Sequence, residues 1–149
     1  MNKTIRLSPG DTIGILGGGQ LGRMLALAAA SLGLRTHIFC PDPESPAFDV
    51  SSARTIAAYD DLEALDRFAS ACTAVTYEFE NVPGPTAAHL AARVPVRPGV
   101  KALEVSQDRL SEKDFLSSSG VSIAGYSDIT CEEGLAAALK QIGGTGVLK

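Results

Sequence analysis

The first group of residues with the types and spacing for chemistry is a glycine cluster, Gly17-x-Gly19-x-x-Gly22. It follows the apolar run 12–16 and precedes a run rich in Ala, Leu and Met. A glycine turn between a strand and a helix lets backbone N–H groups and the positive helix end approach a phosphate. The same turn also allows a helix to pack tightly against a strand. The cluster therefore predicts either a phosphate-binding turn or a packing turn.

A second group is acidic and follows the apolar run 74–77, in the order Glu78-Phe79-Glu80-Asn81. Glu78 and Glu80 are two apart, so in an extended strand they share a face. Ligands of doubly wound proteins bind in the crevice beyond the carboxyl ends of such strands. Carboxylates there would repel a pyrophosphate and accept hydrogen bonds from ribose hydroxyls or an amine. Either acid could instead be a solvated loop residue or cap the following turn.

Asp42 supports a different function. It lies twenty residues beyond Gly22, after a second apolar run. Dinucleotide-binding enzymes place the acid that binds a ribose hydroxyl at this spacing. The alternative hypothesis is therefore an NAD(P)-binding oxidoreductase or regulatory module that uses the glycine turn and Asp42.

The histidines and cysteines form no recognisable catalytic set. We expect His37 to pack beside a sheet and His89 to lie on a helix surface. Cys40, Cys72 and Cys131 are odd in number and far apart, which fits neither a disulfide framework nor a zinc site. They are predicted to be reduced, partly buried thiols. No Ser-His-Asp or Cys-His arrangement is visible, and no metal ligands are predicted.

An alternation of strands and helices must position the glycine turn and the acidic group. Short apolar, β-branched runs predict strands, and longer Ala- and Leu-rich runs predict helices. The proline-rich segment 41–53 is expected to be a loop without helix. We predict strands over 12–16, 35–40, 54–57, 74–77 and, at an edge, 94–96, with helices over 23–32, 60–71 and 85–92. This order is typical of a doubly wound parallel sheet covered on both faces.

After residue 98 the sequence predicts helices and no longer an alternation of strands and helices. Helices are predicted over 100–106 and 108–118, with Gly120 as the stop. Thr130 and Glu133 have the spacing of a capping box for a helix that runs to about residue 142. Residues 146–149 look like the beginning of a buried strand. We therefore expect one domain over 1–105, the start of another over 106–149, and a chain that is the front part of a longer protein.

Composition narrows the class of ligand. The chain has 149 residues, of which 45% are apolar, and a net charge of -4. A domain of this size can bury a core without disulfides or metals. The absence of a basic stripe argues against nucleic acid as a partner, and the apolar runs are too short to span a membrane. The amino terminus does not look like a signal peptide. We expect a cytoplasmic protein that binds a small molecule.

The glycine turn, the acidic group and several shorter motifs together carry a family resemblance. The chain from Thr12 onward resembles the amino-terminal part of 5-(carboxyamino)imidazole ribonucleotide synthases, purine-biosynthesis enzymes of the ATP-grasp superfamily. Sister ATP-grasp enzymes share the fold but not the string 77–81. The matching motifs are Gly17–Met24, Pro41–Pro43, Ala58–Asp61, Thr76–Pro83, Val96–Pro98, Gln107–Leu110 with Lys113, and Val147–Lys149.

The resemblance implies a Rossmann-like pre-ATP-grasp domain followed by the first elements of an ATP-grasp domain. It further implies a homodimeric ligase. In such enzymes ATP phosphorylates bicarbonate to carboxyphosphate, and the carboxyl group passes to the amine of 5-aminoimidazole ribonucleotide, releasing ADP and phosphate. Mg²⁺ would bridge the ATP phosphates. Its ligands and the catalytic residues are expected outside this chain, so the 149 residues alone are predicted to be inactive.

The resemblance also assigns site residues. The ribonucleotide would contact Gly19, Gln20, Leu21, Glu78, Glu80 and Asn81, and ATP would contact Arg109 and Lys149. A lysine at a strand end reaches phosphates as a point charge.

Besides the ligase and the NAD(P)-binding protein, a third hypothesis for the function is a catalytically silent binding domain of an ATP-grasp relative.

Overall fold

The computed structural model describes residues 5–148 of the chain. These residues form two compact units, of which the first ends at Glu104 and the second begins at Val105. Within the described range, no helix combines the length and apolar composition that crossing a membrane requires.

The first unit is built on a four-stranded parallel sheet. Its strands are β1 (Thr12–Leu16), β2 (Arg35–Phe39), β3 (Ala53–Thr55) and β4 (Ala74–Tyr77), in the spatial order β3-β2-β1-β4. All three pairings are parallel. The first three strands lie side by side in sequence order, and β4 pairs with β1 on its other side. This topology confirms the predicted doubly wound sheet.

Helices cover the two faces of the sheet with separate cores. The helices of this unit are α1 (Gln20–Ser31), α2 (Leu62–Ser70), α3 (Gly84–Ala91) and α4 (Val100–Gln107), which crosses the unit boundary. Ile15 and Ile38 point to the face that packs against α1. Their neighbours Leu16 and Phe39 point to the opposite face and pack against α2 and α3. Strand alternation thus gives each face its own apolar set.

Local features account for several helix ends. Asp61 caps α2, since its Oδ1 accepts a hydrogen bond of 2.9 Å from the N–H of Ala64. Pro85 lies in the first turn of α3, where its missing N–H costs nothing. Gly33 and Gly120 follow α1 and α5 (Arg109–Ser118) with positive φ, as helix-terminating glycines do.

Two predictions about proline-containing segments need correction. Residues 41–53 are not a plain loop, because they include a short 3-10 helix at Pro46–Val50 that buries Ala47 and Phe48. The fixed φ of Pro46 suits a first helical turn as well as a loop. Residues 94–96 are not a strand, because only the single bridge from Val75 to Val96 forms. Pro95 has no N–H with which to extend the ladder.

The second unit contains α5 and α6 (Glu132–Gln141). The predicted capping box is wrong. Cys131 occupies the N-cap position without a side-chain hydrogen bond, so Thr130 lies one residue too early to pair with Glu133. The strand predicted to begin at residue 146 is absent from the described residues. Val147 and Leu148 are instead exposed, with no strand beside them.

Candidate functional site

The glycine turn joins β1 to α1 through Gly17, Gly18 and Gly19. Gly17 has a φ of 105°, a conformation that side-chain-bearing residues rarely adopt. Its N–H donates to the carbonyl of Phe39 at 3.0 Å, and the carbonyl of Gly18 accepts from Ala47 at 3.0 Å. The turn is therefore fixed by β2 on one side and by the 3-10 helix on the other.

The carboxylate of Glu78 lies on this turn. Its Oε1 accepts a hydrogen bond of 2.8 Å from the N–H of Gly19, and its Oε2 accepts another from the N–H of Gly22. The backbone N–H of Glu78 donates to the carbonyl of Leu16 at 3.1 Å, which continues the pairing of β4 with β1. The first N–H groups of a helix have no partner within the helix. Glu78 satisfies two of these donors and places a negative charge at the positive end of α1.

The spacing of the glycines matches this carboxylate. A Cβ atom on Gly17 would lie 2.4 Å from Cγ of Glu78, and one on Gly19 would lie 2.9 Å from Oε1. A Cβ on Gly22 would lie 2.8 Å from Oε2. All three distances are shorter than real Cβ contacts, so a side chain at any of these positions would push the Glu78 carboxylate off the turn. A Cβ on Gly22 would also lie 2.8 Å from the backbone oxygen of Gly17. We call Gly17, Gly19 and Gly22 the Glu78 socket.

A buried serine and a half-buried tyrosine that the sequence did not reveal lie near the turn. A Cβ on Gly18 would lie 2.5 Å from Oγ of Ser45, which donates to Sγ of Cys40 at 3.1 Å. Burial, followed by the charge of Cys40 and a hydrogen bond with it, raises the pKa of Tyr59 well above its usual range. Ser45 and Tyr59 lie in irregular segments without periodicity, so no sequence pattern pointed to them.

The other predicted ribonucleotide contacts lie at the same sheet edge. Gln20 and Leu21 open α1, and Glu80 and Asn81 follow β4. Because β1 and β4 are adjacent and parallel, with Leu16 opposite Tyr77, their carboxyl ends share one edge. All four side chains are exposed there. The structure thus brings the predicted residues of the first unit together, with Glu78 inside the turn and the others at its surface.

Asp42 forms a local turn. Its Oδ1 accepts a hydrogen bond of 3.0 Å from the N–H of Glu44, and both residues are exposed. This is the geometry of an Asx turn, which explains an Asp between two prolines without a ligand.

The predicted ATP contacts belong to the second unit or lie outside the described residues. Arg109 opens α5, is exposed, and forms an ion pair with Glu112 one turn later. Lys149 is outside the described range, so its prediction has no structural counterpart.

A cavity of about 850 Å³ lies within the second unit. Arg109 and Lys113 line it, together with Tyr126 and Gln141. Tyr126 donates to Oδ1 of Asp114 at 2.5 Å, and this hydrogen bond raises its pKa. Nζ of Lys113 lies 5.6 Å from the centre of the Tyr126 ring. Tyr126 carried no sequence signal, because the segment around it is neither helix nor strand.

A magnesium site does not fit the described part of the chain. Across residues 5–148, no three His, Cys, Asp or Glu side chains cluster closely enough to hold a metal ion.

The chain is similar in sequence and in fold to several known proteins. An N5-carboxyaminoimidazole ribonucleotide synthase from Brucella melitensis is 52% identical over 149 residues, which are 100% of this chain and 41% of that protein. The synthetase structure from Thermus thermophilus superposes with a TM-score of 0.81 at 48% identity, over 88% of this chain and 36% of that one. The Aspergillus clavatus synthase, solved with ADP and 5-aminoimidazole ribonucleotide, gives a TM-score of 0.79 at 28% identity, over 91% and 37%.

The chain therefore spans about two fifths of the length of these relatives. Residues 11–107, more than half of the chain, match the family described as the ribonucleotide synthetase preATP-grasp domain. That range contains the four strands, the glycine turn and Glu78. The chain belongs to the ribonucleotide synthetase preATP-grasp domain family.

Proposed function

We propose that this chain is the ribonucleotide-binding, amino-terminal part of an ATP-dependent carbon–nitrogen ligase. The ligase transfers a carboxyl group from bicarbonate to the exocyclic amine of 5-aminoimidazole ribonucleotide. The Brucella relative bears the name of this activity, and the Aspergillus structure holds ADP and the ribonucleotide. The product is 5-(carboxyamino)imidazole ribonucleotide, with ADP and phosphate released.

The observation that carries the choice against a dinucleotide enzyme is the position of Glu78. A dinucleotide pyrophosphate needs the N–H groups at the start of α1. Glu78 already accepts hydrogen bonds from two of these groups, those of Gly19 and Gly22. Its charge would also repel the pyrophosphate. A ligand that presents hydroxyl and amine donors meets no such conflict.

The ribonucleotide site then comprises Gly19, Gln20, Leu21, Glu78, Glu80 and Asn81. The exposed carboxylate of Glu80 can accept from a ribose hydroxyl or the amine, and the Asn81 amide can both donate and accept. Glu78 uses one acceptor direction of each oxygen on the turn, and an ionised carboxylate has about four. It can therefore hold the turn and still accept from the substrate.

The ATP side of the proposal rests on Arg109 and Lys149. Arg109 lines the cavity of the second unit and would leave or share its ion pair with Glu112 to reach a phosphate. When bound, Mg²⁺ would neutralise phosphate charge. Following the family resemblance, we propose that its ligands lie in the part of the relatives' length that this chain does not span.

Further proposals concern organisation. We propose a domain boundary near residue 105, and the division into units between Glu104 and Val105 supports it. The family resemblance supports a homodimer and a cytoplasmic location. Sedimentation of the full-length protein at several concentrations measures the oligomeric state, and a monomer at all of them would refute the dimer.

The activity test measures ADP release by the full-length protein that carries this chain. We expect the release that yields a stable, carboxylated ribonucleotide to require ATP, bicarbonate and 5-aminoimidazole ribonucleotide together. Isotope-labelled bicarbonate should appear in that product. Binding of the ribonucleotide without any turnover would support the silent module instead. Saturable NADH binding that Asp42→Ala abolishes would support the dinucleotide alternative.

A further inference from the structure

The backbone N–H groups at the start of α1 could bind an anion, and the carboxylate of Glu78 occupies this position. We propose that Glu78 is a specificity-determining positioning residue, which takes the place of a ligand phosphate on the glycine turn. Its relevance to the ribonucleotide rests on the proposed function. The filled anion site itself does not, because it follows from the contacts within the chain.

The contacts of both carboxylate oxygens support this assignment. Oε1 accepts from Gly19 and Oε2 from Gly22, so the carboxylate spans the first turn of the helix as a bound phosphate would. The residues that hydrogen-bond here are 59 and 56 positions apart in the sequence. The interaction therefore also joins the end of β4 to the start of α1.

The socket explains the glycine spacing without a phosphate. In a dinucleotide fold the glycines allow the backbone to approach a pyrophosphate. Here a Cβ at any of the three socket positions would meet an atom of Glu78 at 2.4–2.9 Å. The glycines and the glutamate thus fit one another, and Gly22 also faces the backbone oxygen of Gly17, which a Cβ would meet at 2.8 Å.

The contact between Glu78 and the glycine turn determines which part of a ligand the turn can accept. A phosphate oxygen would need the same N–H groups and would approach a like charge. Uncharged groups and hydrogen-bond donors face no such barrier. The turn therefore selects for the donor-bearing part of a substrate and against its anionic part.

The test asks whether removing Glu78 restores anion binding. The 149-residue chain, labelled for amide NMR, is titrated with inorganic phosphate as wild type, Glu78→Ala and Glu78→Gln. Gln keeps the size of the side chain but removes its charge. Glu63→Gln is the matched control, because it makes the same change of charge at an exposed residue that pairs with Arg67.

We expect the Gly19 and Gly22 amide signals of Glu78→Ala to shift saturably with phosphate. The apparent affinity for phosphate should be at least about tenfold higher than in the wild type. The substitution frees two backbone N–H donors and removes a negative charge that repels the phosphate. Glu78→Gln should gain less, and Glu63→Gln nothing. Folded Glu78 variants that bind phosphate no better than the wild type would overturn the proposal.

A measurement on the wild type tests the same contact even if both Glu78 variants fail to fold. Scalar coupling across the hydrogen bonds from the Gly19 and Gly22 nitrogens to the Glu78 carboxyl carbon should be detectable. Its absence, or phosphate shifts of these two amides in the wild type, would overturn the proposal. Neither readout needs ATP, bicarbonate or ribonucleotide, so a protein without ligase activity could still pass this test.

Discussion

Gly17 and Glu78 are in such close contact that any side chain at position 17 would overlap the glutamate: a Cβ on Gly17 would lie 2.4 Å from Cγ and 2.7 Å from Oε1 of Glu78. Gly17 also has a φ of 105°, which is unfavourable for any residue with a Cβ. Steric overlap and backbone strain therefore coincide at one residue of the glycine turn.

Gly17→Ala should lower the free energy of unfolding by about 2–4 kcal/mol, from left-handed backbone strain and overpacking against Glu78. Urea denaturation monitored by circular dichroism measures this loss. Gly84→Ala is the matched control, because nothing lies within 4 Å of a Cβ built there and the residue opens α3. Alanine at that position should be neutral or stabilise by up to about 1 kcal/mol. Equal effects of the two substitutions would contradict the contact.

Asp66 links α2 to α3, since its Oδ1 lies 2.6 Å from Nε2 of His89 and 2.5 Å from Nε of Arg93. The hydrogen bond from His89, aided by the charge of Arg93, lowers the pKa of Asp66 below its ordinary 3.8. A lowered carboxyl pKa gives stability that is complete above the ordinary value and lost as pH falls through the folded-state value.

Asp66→Asn should therefore unfold more easily than the wild type at neutral pH, and the difference should vanish in strong acid. Urea denaturation at a series of pH values measures it. A difference that stays constant down to the lowest pH at which both proteins fold would show that the charge of Asp66 does not contribute.

The imidazole of His37 is buried, contacts the Phe68 ring, and lies 2.8 Å from Oγ1 of Thr55. Burial lowers its pKa below the ordinary 6.5. The unfolded chain therefore takes up a proton at this residue before the folded chain does, so acidification below pH 6.5 disfavours folding through His37. NMR titration of the ring should give a midpoint below 6.5 in the folded chain and near 6.5 in urea. A folded midpoint above 6.5 would contradict the environment described for His37.

The three cysteines should differ in reactivity. Cys131 is exposed, whereas Cys40 is buried and burial raises the pKa of Cys72 to about 12. Since the thiolate is the reactive form, one thiol should react quickly with a disulfide reagent at about pH 8 and two only on unfolding. Cys131→Ser should remove the fast phase. A fast phase that survives this substitution would show that Cys40 or Cys72 is accessible.

Features that depend on neighbours in the sequence were predictable. The strand over 12–16, the glycine turn with the helix that follows it, and the helix predicted over 85–92 follow from side-chain types within one turn of the chain. The carboxyl edge where the acidic group lies follows from the parallel order of the strands.

Features that depend on distant partners were not predictable. The sequence placed Glu78 and the glycine turn at one edge, but the contact of its carboxylate with Gly19 joins residues 59 positions apart. The 3-10 helix at Pro46–Val50 forms because Phe48 finds a buried site and Arg23 binds the carbonyl of Pro46 at 2.9 Å. Proline content alone does not distinguish such a turn from a loop.

Steady-state kinetics of the full-length protein with Glu80→Ala or Arg109→Ala tests the central claim, that this chain binds the ribonucleotide at the strand edge. Glu80→Ala should raise the KM for 5-aminoimidazole ribonucleotide by about tenfold or more, the cost of a lost charge-assisted hydrogen bond, and leave the KM for ATP within about twofold. Arg109→Ala should instead raise the KM for ATP and leave the KM for the ribonucleotide within about twofold. Unchanged kinetics for the ribonucleotide in Glu80→Ala, or an effect on ATP alone, would contradict the account.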